Sequence, residues 1–114
     1  MFGHEKFTAY QYSIKFVALA TQLIERFPKG NTYLVDQLKR AAISIPLNIA
    51  EGSGKNSNKD KQRFYSIARG EAMECAAILD VLCSTNIFDL VDIKEHKELL
   101  GQIAAILSKV CVGY

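Results

Sequence analysis

The sequence predicts an all-α protein with one domain over residues 1–114, an antiparallel up-down-up-down four-helix bundle. Proline occurs only at Pro28 and Pro46, and the β-branched alternation of strands is scarce. Apolar residues instead recur at helical spacing along four segments, which short glycine-containing or polar connections separate. Short connections favour antiparallel neighbours, and 114 residues are enough for one hydrophobic core.

The first helix is predicted over about residues 5–27, because two adjacent apolar stripes form one wide face. It is expected to end at Phe27-Pro28-Lys29-Gly30, since a residue before proline avoids the α region and glycine permits a turn. The two stripes are Phe7, Tyr10, Ile14, Val17, Thr21 and Ile24, and Ala9, Phe16, Ala20, Leu23 and Phe27.

The second helix is predicted to begin at Asn31 or Thr32 as its N-cap and to end at Gly52-Ser53-Gly54. Its apolar stripe continues across Pro46, whose missing amide proton leaves the carbonyl of Ala42 without its helical donor. We therefore expect this helix to be kinked at Pro46. The stripe comprises Leu34, Leu38, Ala41, Ile45 and Ile49.

The third and fourth helices have local start and stop signals. The spacing Ser57-x-x-Asp60 is similar to a capping box, and Asn86 is expected to be left-handed at the end of the third helix. Asp89 or Asp92 is predicted to cap the fourth helix. The core stripes are Phe64, Ala68, Cys75, Leu79 and Leu82 in the third helix, and Ile93, Leu100, Ile103, Leu107 and Val110 in the fourth.

Composition excludes several classes of protein. No apolar run approaches the roughly 18 residues that cross a membrane, and the first residues lack the apolar segment of a secretory signal. Three cysteines without C-x-x-C spacing, Cys75, Cys83 and Cys111, favour reduced thiols over disulfides or zinc. The two histidines, His4 and His96, lack the Glu-x-x-His spacing of di-iron bundles. We expect a cytoplasmic protein without cofactor, metal or membrane partner.

Residues 40–55, RAAISIPLNIAEGSGK, admit three interpretations. The helical period and Pro46 disfavour a buried strand. A phosphate loop is excluded, because Ile49 and Asn56 stand where that motif needs glycine and Ser or Thr. A proline-containing helix remains.

Polar residues of this helix follow one stripe beside its core, where they are expected to face the third helix. The cluster is either a functional site or a hydrogen-bond network that fixes helix register and satisfies the carbonyl freed by Pro46. Because no nucleophile–base pair is present, we favour the network, predict no catalytic residues and expect the protein not to be an enzyme. The predicted network comprises Arg40, Ser44, Asn48, Glu51, Arg69 and Glu74, with Gln37 and Glu71 beside it.

The opposite flank of the second helix carries Ile43, Leu47 and Ala50. A helix that is apolar on two flanks has more surface to bury than one bundle core accepts, so these residues are predicted to form an interface between subunits.

Basic residues cluster around the second turn, at Lys55, Lys59, Lys61 and Arg63. Residues 39–69 contain seven basic and two acidic residues, whereas residues 71–114 contain three basic and seven acidic residues. Cations at this density are typical of a surface that contacts phosphates with weak sequence specificity, so RNA or DNA is a predicted partner. The alternative is a solvated turn in a structural or protein-interaction scaffold.

The run QLKRAAISIPLNIAEG at residues 37–52, with Arg63-Phe64, Ala68-Arg69-Gly70 and Glu74, resembles the 23S rRNA-intervening-sequence protein family of small bacterial four-helix-bundle proteins. The core R-A-A-x-S-I-P-x-N-I-A-E-G is long and specific, and the resemblance covers most of the chain. Leu47 replaces a small polar residue that many members have, and Glu71 replaces the usual Ser after Gly70.

The resemblance implies a homo-oligomeric ring of bundles, with a pentamer as the expected assembly. It also implies contact with RNA or DNA, because related accessory proteins of diversity-generating retroelements are nucleic-acid-binding pentamers. The family name gives a genomic context rather than a mechanism.

Overall fold

The computed structural model describes residues 2–112, which form a short 3-10 turn and four long helices. The described residues contain no strand, so the predicted all-α four-helix fold is confirmed. The bundle measures 44 × 24 × 20 Å. In chain order the elements are the N-terminal turn (Gly3–Lys6), α1 (Thr8–Glu25), α2 (Thr32–Ser53), α3 (Asn58–Ser84) and α4 (Leu90–Val112).

Each helix packs against its neighbours in sequence, and α1 closes the bundle against α4. Near the start of α3, the amide of Gln62 donates to the carbonyl of Cys111 at the end of α4. Near the end of α3, Asp80 pairs with Lys97 near the start of α4. Contacts in this order show that α3 and α4 are antiparallel, and the up-down-up-down arrangement of all four helices stays a prediction.

The first helix begins later than predicted, at Thr8. The amide of Phe7 donates to the carbonyl of His4 at 3.0 Å, three residues back, which closes a 3-10 turn. Phe7 itself is extended, and the helical hydrogen bonds start with the amide of Gln11 on the carbonyl of Phe7 at 3.1 Å. The last residue of α1 is Glu25.

Several predicted start and stop signals are present. Gly30 and Asn86 have φ angles of 94° and 60°, and the hydroxyl of Ser57 accepts the amide of Asp60 at 3.1 Å. Asp89 and Asp92 cap α4 together, since each carboxylate accepts the other residue's amide at 3.0 Å.

The core lies along the centre of the bundle, and α1 contributes the stripe that contains Phe16 and Leu23. The neighbouring α1 stripe lies at the margin of the core, where Tyr10 and Val17 are partly buried and Ile14 is 46% exposed. Pro46 is buried inside a continuous α2, and its kink stays a prediction. Within residues 2–112, no helix has the length and apolar character needed to cross a membrane.

Candidate nucleic-acid interface

The end of α2 and the start of α3 form a tight corner, which we call the α2–α3 corner (residues 51–65). A Cβ atom on Gly52 would lie 2.8 Å from Cε1 of Tyr65 and 3.1 Å from Cβ of Phe64. Only glycine therefore permits the two helices to approach this closely. The hydroxyls of Ser53 and Tyr65 lie 3.0 Å apart and hydrogen bond across the same contact.

Lys61 connects the two helices at this corner. Its ammonium donates to the carbonyl of Ser53, the last residue of α2, at 3.1 Å. A cation at a helix C-terminus compensates both an unpaired carbonyl and the negative end of the helix dipole. Lys61 is half-buried and stabilises the corner.

Phe64 lies between two of the predicted basic residues. Nζ of Lys55 is 5.1 Å and Cζ of Arg63 is 4.7 Å from the centre of its ring. Lys55 also pairs with Glu51 one turn earlier, with Nζ 3.3 Å from Oε2. The aromatic ring holds both cations near one another at this corner.

Lys59 lies in the first turn of α3 and is exposed. Within residues 2–112, neither Lys59 nor Arg63 has a carboxylate within 4.0 Å. The structure thus brings the four predicted basic residues to one corner and divides their roles. Lys55 and Lys61 have partners that stabilise the corner, whereas Lys59 and Arg63 direct uncompensated charge to solvent.

The predicted polar network is not continuous. Arg40 bridges from α2 to α3, where it contacts Glu71 at 3.3 Å and also pairs with Glu74. Ser44 and Asn48 form a separate pair, in which the Asn48 amide donates to the Ser44 carbonyl at 2.8 Å and to its hydroxyl at 2.9 Å.

Two members of the predicted network contact other groups. Glu51 pairs with Lys55, and Arg69 faces α4, with Nη1 3.4 Å from the hydroxyl of Ser108. Nε of Arg69 is buried without a hydrogen-bond partner in the described part of the chain. The side chain of Asn48 bonds the carbonyl of Ser44 and not that of Ala42, the carbonyl that Pro46 leaves free.

The thiol of Cys75 lies near the Arg40 bridge and is fully buried. Burial raises its pKa to about 12, and the negative charges of Glu71 and Glu74 add to the shift. The side chain therefore stays a neutral thiol at physiological pH, which is the state of a core residue rather than of a nucleophile. In residues 2–112, no group of three or more His, Cys, Asp or Glu side chains is placed to hold a metal ion.

The predicted subunit interface lies on the outer face of α2. Ile43 and Leu47 are 48% and 63% exposed, while Ala50 is half-buried. Together with Arg40 and Ser44, the two large side chains line an open groove of about 530 Å³.

Sequence reasoning missed Lys6, which lies on the N-terminal turn and shares a cavity with Lys61 of the corner. The only sequence signal is its charge, because 55 positions separate the two lysines and only the tertiary fold brings them together.

Comparison with known proteins identifies one family. A model of the family described as 23S rRNA-intervening sequence protein matches residues 5–109. A comparison with curated proteins finds no match to the chain.

Proposed function

Because the chain belongs to the 23S rRNA-intervening sequence protein family, we propose that it is a non-catalytic cytoplasmic protein that forms a homo-oligomer and binds RNA or DNA phosphates. The α2–α3 corner is the proposed contact surface. Binding is directed at the nucleic-acid backbone and is only weakly sequence-specific.

The observation that carries this proposal is the uncompensated charge of Lys59 and Arg63. Both side chains are exposed, and the positive end of the α3 dipole lies beside Lys59. Lys55 and Lys61 belong to the same corner, which therefore contains four cations against the two acidic residues Glu51 and Asp60. Such a surface attracts phosphates and releases their counterions on binding.

Exposed apolar surface supports self-association. Ile43 and Leu47 line the groove on the outer face of α2, and exposed apolar side chains gain most when a second copy covers them. The number of five subunits comes from the family resemblance. A ring would repeat the α2–α3 corner around its circumference, and several weak phosphate contacts would then act together.

Nucleic-acid binding is tested by fluorescence anisotropy with single-stranded RNA and DNA of one sequence at several salt concentrations. We expect affinity to fall steeply with salt, and Lys59→Gln/Arg63→Gln to reduce the slope of log affinity against log salt by about 1.4, which is about 0.7 for each lost contact to a single strand. Lys29→Gln/Lys94→Gln removes two exposed cations elsewhere and is the control. If the wild-type protein binds neither strand at low salt, the nucleic-acid proposal is wrong, and a protein-interaction scaffold remains.

Self-association is tested by light scattering of the wild type and Leu47→Lys. We expect an oligomer that the variant reduces to monomers, because a buried unpaired ammonium disrupts an apolar contact. Val91→Lys, at an 84% exposed residue of α4, is the control and should leave the mass unchanged. A monomeric wild type would contradict the proposal.

A further inference from the structure

A shallow pocket of about 460 Å³ includes residues of the α2–α3 corner in its lining. It lies where four elements meet. Its main lining residues are Lys6 and Phe7 near the N-terminus, Ser53 of α2, Lys61 and Tyr65 of α3, and Val110 of α4. Its volume lies in the range of small-molecule sites in proteins.

The polar part of the pocket is cationic. Lys6 has no carboxylate within 4.0 Å in residues 2–112, and no acidic side chain lines the pocket there. Lys61 uses one N–H on the carbonyl of Ser53, and an ammonium has three donors, so two remain. Two ammonium groups facing one cavity favour a ligand with negative charge.

The remaining wall of the pocket is apolar and aromatic. Phe7 and Tyr65 lie with ring centres 5.6 Å apart at an interplanar angle of 59°, and Val110 completes the wall. A simple anion would leave this surface uncovered, whereas a ligand that joins a phosphate to a planar ring would use both parts. Bases stack on aromatic side chains in a sequence-tolerant way.

We propose that this pocket binds a nucleoside monophosphate unit, either free or at the phosphorylated end of a nucleic-acid strand. The phosphate lies between Lys6 and Lys61, and the base packs against Phe7 and Val110. For the strand end, this inference rests on the proposed function. For the free nucleotide, it stands independently.

The experiment compares one short oligonucleotide in three forms: with a 5′-phosphate, with a 3′-phosphate, and with neither, each labelled at an unphosphorylated position. We expect a terminal phosphate to raise affinity about tenfold, as one charge-assisted hydrogen bond does. Lys6→Gln should remove this preference and leave the affinity for the unphosphorylated form unchanged. Lys59→Gln, outside the pocket, should weaken all three forms by the same factor.

Equal affinity for the three forms, with no effect of Lys6→Gln, excludes the strand end as the ligand and leaves the proposed function intact. Adenosine monophosphate is titrated in parallel, while the backbone amides of Phe7, Ser53 and Lys61 are followed by NMR. If no strand binds, the proposed function fails, and this titration alone tests the pocket. Shifts that Lys6→Gln abolishes support the pocket, and unmoved amides overturn it.

The same titration distinguishes the two sources of the ligand. If adenosine monophosphate binds as tightly as the phosphorylated strand, the free nucleotide is the ligand. If adenosine monophosphate binds more weakly than the phosphorylated strand, the strand end is the ligand.

Discussion

The two ends of α3 differ in whether their charged side chains have ionic partners. At its C-terminal end, the α3–α4 corner (residues 84–92), Asp92 both accepts the amide of Asp89 and pairs with Arg26 at 2.7 Å. At its N-terminal end, Lys59 and Arg63 have no such partner in the described chain. Charge therefore stabilises the fold at the α3–α4 corner, whereas at the α2–α3 corner the charges of Lys59 and Arg63 are available to a ligand.

At each corner a cation lies over a phenylalanine ring. Cζ of Arg26, at the end of α1, is 5.4 Å from the centre of the Phe88 ring. Phe88 is buried and meets Phe27 edge to face, with their ring centres 5.2 Å apart. Phe64 at the other corner is only half-buried between its two cations. The same interaction thus completes the core at one corner and arranges surface charge at the other.

The largest expected effect comes from Gly52→Ala, which tests whether close packing defines the α2–α3 corner. The new methyl group would lie 2.8 Å from the Tyr65 ring, and overpacking of this kind costs about 1–3 kcal/mol of unfolding free energy. Chemical denaturation measures the change.

Gly101→Ala is the matched control, because its Cβ would meet no atom within 4 Å on an exposed face of α4. It should stabilise the protein by up to about 1 kcal/mol, since alanine has the higher helix propensity. If Gly52→Ala is also stabilising, the close contact between the helices is absent.

The next largest effect is expected at the caps. Ser57→Ala and Asp92→Ala each remove the side-chain acceptor of a backbone amide at the start of a helix, which costs about 1 kcal/mol. Asp92→Ala should cost more than Ser57→Ala, because the Asp92 carboxylate also pairs with Arg26. Equal urea midpoints for the two variants would show that the α3–α4 corner gains nothing from its connected charges.

A smaller, pH-dependent effect is expected from Asp92. The hydrogen bond from Arg26, followed by that from the Asp89 amide, lowers the pKa of its carboxyl. The stability that Asp92 contributes is therefore full above its unfolded pKa of about 3.9 and is lost as the pH falls through the folded value.

Arg26→Gln should flatten this acid-side loss, measured as the urea midpoint between neutral and acidic pH. Lys29→Gln, a nearby exposed cation without a carboxylate partner among the described residues, is the control. A wild type and Arg26→Gln variant with parallel pH profiles would exclude the pairing as the cause.

The smallest effect on stability is expected from Lys59→Gln, which should stay within about 0.5 kcal/mol of the wild type. Its side chain is exposed and its charge has no acidic partner in residues 2–112. Thermal denaturation measures this, and a marked loss of stability would show that Lys59 has a structural role like that of Arg26.

The sequence predicts the features that depend on local chemistry. Ser57, Asn86 and Gly30 take their expected positions because caps and left-handed turns depend on a few neighbouring residues. The segment Gly52-Ser53-Gly54 is predicted as the stop of α2, and α2 ends within it at Ser53, but the sequence does not show that Gly52 also serves a contact with Tyr65. That role depends on which residue the facing helix presents.

The sequence predicts the site less completely, for the same reason. Arg69 has the right spacing for the polar network, but the rotation of α3 turns it towards Ser108 of α4. Lys6 and Lys61 reach one pocket only through the packing of the N-terminal turn on the bundle. Helical spacing assigns residues to a face, and the partner of that face comes from tertiary packing.

The bond between Lys61 and the end of α2 has a consequence for conformational entropy. A free lysine side chain loses about 0.5–1.5 kcal/mol of rotamer freedom when a ligand immobilises it. Lys61 has already lost much of that freedom, because its ammonium is fixed at 3.1 Å from the carbonyl of Ser53. An anion that binds beside it meets an ordered donor, so folding has preorganised this half of the pocket before any ligand arrives.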